Sequence, residues 1–361
     1  MMQIIGTVLH SGKYVRMLGL VSTALVPTSA SSSSESQKRN CRAYTESRSG
    51  SIRATRGAAL ENNMSVTELR PAGSNPVVRV TANSLLAKKR DHVPISAITA
   101  YDYPTARLID EAGIDVVLVG DSLGMVVLGY DSTLPVTLGE MLHHTRAVAR
   151  GLRRSFLIAD MPYGSYHVSE NESVRNALRF IQEAGAQAVK IEGGETRAAL
   201  VRRLTDSEIP VVGHIGLTPQ SVHTMGGYKV QGKTWEAYDR LCRAAEALEG
   251  AGAVAIVLEG IPRELAARIT GELRIPTIGI GAGPDCDGQI LVFHDLFNLT
   301  FAPHAKFVRQ YGDGPSFFGA ALASYREDVA RRRFPSDAES YHLPREMQVE
   351  LELLEPAASD R

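Results

Sequence analysis

Four carboxylates stand directly at the ends of short apolar runs in the middle of the chain: Asp121, Asp160, Glu192 and Glu259. A run of Val, Ile and Leu that stops on a polar residue is typical of a buried parallel strand whose carboxyl end opens into a loop. One such acid is readily explained as a helix cap. Four acids at the same end of successive strands instead predict a site at one mouth of a β/α fold.

These acids need a counter-charge, because their mutual repulsion raises their pKa values. A divalent cation supplies that charge, and an oxygen donor set without thiols favours Mg²⁺ or Mn²⁺. His214 ends a further apolar run and is a candidate accessory ligand, which would shift the preference toward zinc or iron. A histidine at a strand end is more often a hydrogen-bonded part of the structure, and this is the alternative role of His214.

A cation and a hydroxyl are predicted at the same end of the strands. Lys190 lies two residues before Glu192, so both side chains face one side of a strand, and Ser122 follows Asp121. A lysine beside metal-bound acids suits an anionic substrate group such as a carboxylate. The alternative for the Lys190–Glu192 pair is a salt bridge that only holds the fold together.

Enolate chemistry is one reaction that such a site supports. Magnesium that chelates a 2-oxo acid polarises the carbonyl and stabilises the enolate formed when a neighbouring proton is lost. The reaction also needs a carboxylate base that does not bind the metal. Glu259 is farthest along the chain from the other acids and is the candidate base.

The elements that position these residues alternate regularly from about Val80 onward. A short helix over 84–89 is predicted to cover the bottom of the fold, and helices are also predicted from about Asp287 and over 314–332. Seven or eight βα units in one run predict a closed (β/α)8 TIM barrel, with an open doubly wound sheet as the alternative. Strands are predicted at 95–100, 115–120, 156–160, 187–192, 209–215, 254–259, 275–280 and, more weakly, 300–302.

The two ends of the chain differ from this middle part. Residues 1–75 are basic, rich in serine and poor in acids, which predicts a mitochondrial transit peptide and linker, with secretion or a plain tail as alternatives. The catalytic domain is predicted over 76–344, and 345–361 is predicted to be a polar tail. A formal net charge of -1 gives no reason to expect nucleic acid or an anionic membrane as partner.

Seven motifs occur in order and with consistent spacing over about residues 80–340. They are ITAYDY at 98–103, VGDSLGM at 119–125, GYDSTLPVT at 129–137, VKIEGG at 189–194, GHIGLTPQS at 213–221, GGYKVQG at 226–232 and IGIGAG at 278–283. Taken alone, the glycine-rich segment 226–232 is either a flap over the site or a plain loop. Together, the motifs resemble those of the ketopantoate hydroxymethyltransferase family.

The resemblance implies a (β/α)8 enzyme that transfers a hydroxymethyl group from 5,10-methylenetetrahydrofolate to 3-methyl-2-oxobutanoate. The products are 2-dehydropantoate (ketopantoate) and tetrahydrofolate, in pantothenate and coenzyme A biosynthesis. It implies that Asp121 and Asp160 bind magnesium, joined by Glu192 directly or through water. Ser122 and Lys190 would contact the oxo acid together with both aspartates, and Glu259 would accept the proton. Family members are homo-oligomers, commonly decamers.

Two other functions compete with this one. A magnesium-dependent carbon–carbon lyase of the phosphoenolpyruvate mutase/isocitrate lyase type would have the same barrel and the same magnesium-enolate chemistry. The chain, however, lacks the Lys-Lys-Cys-Gly-His loop of isocitrate lyases. A catalytically dead structural homologue is disfavoured by the intact acids. Residues 1–75 and the segment beyond Pro344 are additions to the bacterial form of the family. The N-terminal addition fits a eukaryotic enzyme directed to the mitochondrial matrix, and 301–304 departs from the glycine-rich form expected there.

Overall fold

The computed structural model describes residues 78–354, so the predicted transit peptide lies outside the described residues. These residues form a closed barrel of eight parallel strands in chain order. The strands are β1 Ile95–Thr99, β2 Val116–Val119, β3 Phe156–Asp160, β4 Ala188–Glu192, β5 Val211–Gly216, β6 Ala255–Glu259, β7 Thr277–Ile280 and β8 Gly288–Leu291. Closure occurs where β8 pairs with β1, with Gly288 beside Ile95. The predicted (β/α)8 barrel is confirmed, and the open sheet is wrong.

The helices are α1 Ala82–Arg90, α2 Tyr103–Glu111, α3 Leu123–Val126, α4 Leu138–Gly151, α5 Glu170–Gln182, α6 Ala198–Thr205, α7 Val222–Met225, α8 Trp235–Gly250, α9 Arg263–Glu272, α10 Phe293–Leu296, α11 Gly314–Ala330 and α12 Arg345–Leu354. Helix α1 precedes the barrel in the chain, the last three helices follow it, and the others lie between its strands in the chain. Local sequence explains where they begin. Thr137 and Glu140 form a capping box at α4, and Asp102 caps α2 ahead of Pro104.

Two apolar layers hold the barrel together. Alternate strand residues such as Leu118, Ile158 and Val257 fill its interior, as in other closed barrels of this size. The intervening residues, among them Val117 and Ile191, pack outward against the helices. Because the interior is filled, a ligand site is restricted to the ends of the strands.

Helix α1 closes the amino-terminal end of the barrel. Its Leu85 is buried with the interior layer. Two lysines anchor the helix to the strand ends, with Lys88 Nζ 2.9 Å from Asp115 Oδ2 and Lys89 Nζ 2.7 Å from Asp287 Oδ2. The predicted covering helix is therefore present, and the open mouth is at the opposite, carboxyl-terminal end.

The last strand differs from the prediction. β8 is Gly288–Leu291, not 300–302, and no helix begins at Asp287. Asp287 instead pins the start of β8, since its Oδ2 accepts hydrogen bonds from Lys89 Nζ and from the backbone N–H of Thr277. A Cβ at Gly288 would lie 2.6 Å from the carbonyl oxygen of Ile95, so closure against β1 requires glycine there.

The part of the chain after the barrel is helical and exposes apolar side chains. Helix α11 confirms the helix predicted over 314–332, and its Phe317 and Leu322 are 71% and 67% exposed. Helix α12 lies where a polar tail was predicted. The unusual segment 301–304 is exposed and belongs to neither a strand nor a helix. Within residues 78–354, no helix is long and apolar enough to cross a bilayer.

Candidate active site

Every site residue predicted from the sequence lies at the carboxyl-terminal mouth of the barrel. Asp121 and Ser122 follow β2, Asp160 ends β3, Lys190 and Glu192 lie in β4, His214 lies in β5 and Glu259 ends β6. Most of these side chains are at most 5% exposed, whereas that of Glu259 is 17% exposed. Glu259 therefore lies nearer the solvent than the charged groups beneath it.

Two aspartates and a lysine form the deepest part of the site. Asp160 Oδ2 accepts a hydrogen bond of 3.0 Å from the backbone N–H of Asp121, and Asp160 Oδ1 lies 3.0 Å from Lys190 Nζ. Burial raises the pKa of both aspartates, and the charges of Asp160 and Glu192 raise that of Asp121 further. Burial also disfavours the charged form of Lys190, but the surrounding carboxylates outweigh it and raise the lysine pKa.

His214 connects this deep part with Glu259. Its Nδ1 lies 3.1 Å from Lys190 Nζ and 3.3 Å from Glu192 Oε1, and its Nε2 lies 3.2 Å from Glu259 Oε2. Nδ1 thus has a hydrogen-bond partner in Lys190, as in the alternative role that the sequence offered, whereas the buried Nε2 lies close to Glu259 without forming a hydrogen bond. The accessory ligand role of His214 stays a prediction.

The protonation of His214 should make stability depend on pH. Burial and the Lys190 charge lower its pKa, but the facing carboxylates of Glu192 and Glu259 outweigh them and raise it to about 9. A raised histidine pKa contributes stability in full below the unfolded value of about 6.5, and the contribution is lost as pH rises toward 9. We expect urea unfolding in EDTA to show this loss in the wild type and not in His214→Gln. If the free energy of unfolding changed equally with pH between 6.5 and 9 in both proteins, His214 would not be the group responsible.

Three residues that the sequence analysis did not single out complete the site. Gln220 Nε2 donates a hydrogen bond of 2.8 Å to Asp121 Oδ2, and Tyr166 Oη donates one of 2.6 Å to Gln220 Oε1. Tyr101 Oη lies 2.8 Å from Ser122 Oγ. These neutral side chains carry no charge pattern, and only the presence of Gln220 and Tyr101 inside two of the motifs could have indicated them.

The donor set fits a magnesium ion that is only partly coordinated by protein. Within residues 78–354, no three histidine, cysteine, aspartate or glutamate side chains form a preassembled metal cluster. Magnesium, however, is usually held by one or two carboxylates and completes its octahedron with water and substrate oxygens. Asp121 and Asp160 supply such a pair, and the buried Asp160 Oδ1 accepts no hydrogen bond and has only the ion-pair contact with Lys190 Nζ. Both oxygens of Glu192 already face protein groups, His214 and the backbone N–H of Gln220.

The segment 226–232 reaches toward this mouth. Tyr228 Oη lies 3.9 Å from Met125 Sδ of helix α3, and the backbone N–H of Gln231 donates to the carbonyl of Gly260. Burial, followed by the charges of Asp121, Glu259 and Glu192, raises the pKa of Tyr228. Tyr228 therefore lies near the charged groups of the site.

Comparison with known proteins identifies a family for the chain. The model of the family described as ketopantoate hydroxymethyltransferase matches residues 79–337. A 3-methyl-2-oxobutanoate hydroxymethyltransferase of Koribacter versatilis (strain Ellin345) is 66% identical over 277 residues, which cover 77% of this chain and 94% of that protein. The protein of the same name from Carboxydothermus hydrogenoformans (strain ATCC BAA-161 / DSM 6008 / Z-2901) is 53% identical over 269 residues, or 74% of this chain and 98% of that protein.

Solved structures give a weaker similarity. Phosphoenolpyruvate phosphomutase from Streptomyces platensis subsp. rosaceus has a TM-score of 0.47 and 15% identity, covering 75% of this chain and 95% of that chain. Similarity at this level does not bear on function, so the lyase alternative gains no support. The predicted family and the prediction that the chain is an enzyme are both confirmed by the family model and the relatives. The chain belongs to the ketopantoate hydroxymethyltransferase family.

Proposed function

We propose that this enzyme transfers a hydroxymethyl group from 5,10-methylenetetrahydrofolate to 3-methyl-2-oxobutanoate, giving 2-dehydropantoate and tetrahydrofolate. The observation that carries the proposal is the separation of two kinds of carboxylate. Asp121 and Asp160 are adjacent and buried, whereas Glu259 contacts only His214 among the charged site residues. One pair is thus available for a cation, and a third acid is available as a base.

Asp121 and Asp160 would hold Mg²⁺, with Glu192 reaching it through water because both of its oxygens have protein partners. Magnesium bound there would polarise the oxo group of the substrate. Lys190 Nζ and Ser122 Oγ would bind and orient the oxo acid. Ser122 is held for this by Tyr101.

Glu259 would take the proton from C3 of the oxo acid. The electron pair of that C–H bond would then form the new bond to the methylene carbon of the folate as one of its two C–N bonds breaks. Water would replace the second nitrogen and supply the hydroxyl oxygen. The proton taken by Glu259 and the one released by water would restore the two N–H groups of tetrahydrofolate. His214 Nε2 lies 3.2 Å from Glu259 Oε2 and would keep the carboxylate in place for this transfer. Glu259 is at the end of β6, where catalytic groups of such barrels are found.

Hydrogen exchange at C3 tests this proposal directly. We expect the full chain with Mg²⁺ to exchange the C3 hydrogen of 3-methyl-2-oxobutanoate with deuterated water, followed by proton NMR, and EDTA to stop the exchange. Addition of 5,10-methylenetetrahydrofolate should then yield 2-dehydropantoate. A folded, magnesium-loaded protein that gives neither exchange nor product would overturn the proposal.

We also propose that the chain assembles into a homo-oligomer, for which the resemblance suggests a decamer. Support comes from helix α11, where Phe317, Phe318 and Leu322 are exposed. Contiguous exposed apolar surface of this kind marks association sites. A monomeric mass by light scattering at micromolar concentration would contradict this.

Import into the mitochondrial matrix by residues 1–75 is a further proposal. Its support is composition alone: basic, rich in serine and poor in acids. A fluorescent protein fused behind these residues should enter mitochondria, and a diffuse signal throughout the cell would contradict import.

A further inference from the structure

The side-chain amide and the backbone N–H of Gln220 are all engaged in hydrogen bonds inside the site. It lies in the 3₁₀ turn Pro219–Ser221 after β5 and is 5% exposed. Its Nε2 donates to Asp121 Oδ2 at 2.8 Å and to the carbonyl of Met161 at 3.0 Å, and its backbone N–H donates to Glu192 Oε2 at 2.9 Å. One residue thus contacts two of the acids assigned to the metal.

The orientation of the Gln220 amide follows from its partners. Tyr166 Oη accepts a hydrogen bond from the backbone N–H of Glu192 at 3.2 Å, so its own hydrogen is directed to Gln220 Oε1 at 2.6 Å. On the other side, Asp121 Oδ2 as a carboxylate oxygen and the Met161 carbonyl can only accept, so Nε2 must face them. Both sides of the amide therefore require the same orientation.

Tyr166 is itself held in place. It is buried, and the guanidinium of Arg197 lies 5.1 Å from the centre of its ring. The hydroxyl thus joins the backbone of β4 to the side chain of Gln220, and Gln220 in turn joins the loop after β5 to Asp121. This continuous set of hydrogen bonds connects β4 with the residue that follows β2.

We propose that Gln220 is a positioning residue that Tyr166 orients, and that it fixes the Asp121 and Glu192 carboxylates for the metal. The inference rests on the proposed magnesium site. Without the amide, Asp121 Oδ2 would lose a donor while Asp160 and Glu192 continue to repel it, so its carboxylate would turn or take up a proton. Replacing a residue that orients metal ligands in this way typically weakens metal binding 10–100-fold.

Metal titration of two variants tests the proposal. Gln220→Met keeps the side-chain length and the backbone N–H to Glu192 but removes the amide, and Tyr166→Phe removes only the hydroxyl that orients it. We expect both variants to bind Mn²⁺, used as a probe and followed by electron paramagnetic resonance, about 10–100-fold more weakly than the wild type. Raising the metal concentration should restore much of kcat in Tyr166→Phe, which loss of a purely structural contact would not produce.

Gln187→Met is the matched control. Gln187 lies directly before β4, at the end of the strand away from the site, and its Oε1 accepts a hydrogen bond from the backbone N–H of Leu157. This variant should bind Mn²⁺ as the wild type does. Wild-type affinity in both Gln220→Met and Tyr166→Phe would overturn the positioning role alone, whereas a wild type that binds no Mn²⁺ would overturn the metal site and this inference together. If Gln220→Met does not fold, Tyr166→Phe decides the outcome.

Discussion

Glu259→Gln is expected to lower kcat by about two to four orders of magnitude, the range that a general base contributes. Glutamine has nearly the same shape as glutamate but cannot accept the C3 proton. Its neighbour His214 lies 3.2 Å away and would retain a hydrogen-bonding partner, so the fold should tolerate the change. The measurement is C3 exchange in deuterated water together with the rate of 2-dehydropantoate formation.

Two controls make this result specific. Glu264→Gln, on the exposed first turn of α9, should leave both rates unchanged. Metal affinity should be unchanged in Glu259→Gln, because Glu259 is not assigned to the metal. Exchange that persists at the wild-type rate would place the base elsewhere, and a large loss of Mn²⁺ affinity would instead make Glu259 a ligand.

Lys190→Met is expected to lower the free energy of unfolding by about 3–5 kcal/mol, the cost of breaking a buried ion pair by removing one partner. Lys190 is the cation among three buried acids, and its Nζ lies 3.0 Å from Asp160 Oδ1. Without it, Asp121 and Asp160 keep only neutral hydrogen-bond donors against burial and mutual repulsion. His214 faces Glu192 alone among these acids. Urea unfolding measures the loss, and Mg²⁺ should recover part of it by supplying another positive charge.

The same variant distinguishes the two roles considered for Lys190. If the lysine also binds the oxo acid, the magnesium-stabilised variant should show a KM for 3-methyl-2-oxobutanoate raised at least about tenfold, since a charged hydrogen bond contributes about 1.5–3 kcal/mol. An unchanged KM would mean that Lys190 only holds the barrel together. Lys233→Met, at an exposed position, is the control and should change neither stability nor KM.

The charged half of the site is predictable from the sequence because the strand ends have a recognisable pattern. Each of the acids follows a run of apolar residues that a buried parallel strand requires, so Asp160 and Glu259 could be placed at the mouth without coordinates. The barrel followed from the number of such units. The neutral half of the site has no such pattern. Gln220 is oriented by a hydrogen bond from Tyr166, which is 54 residues away in the chain.

The position predicted for strand β8 was wrong for a similar physical reason. Only two of its four residues are large and apolar, which is too short a run to indicate a strand. Its start is determined by contacts of Asp287 with Lys89 and Thr277, which lie on other elements. The need for glycine at position 288 likewise arises from the backbone of β1. Tertiary contacts of this kind are not visible in local periodicity.

Helix α1 covers the amino-terminal end of the barrel, so among the described residues the site opens at the carboxyl-terminal mouth, and this has a kinetic consequence. The groups that would hold the oxo acid and its metal, Lys190 and Asp160, are buried below the more exposed Glu259. A folate already in the mouth would block the way to them. We therefore expect a compulsory order, with the oxo acid first to bind and 2-dehydropantoate last to leave, and product-inhibition patterns test this expectation.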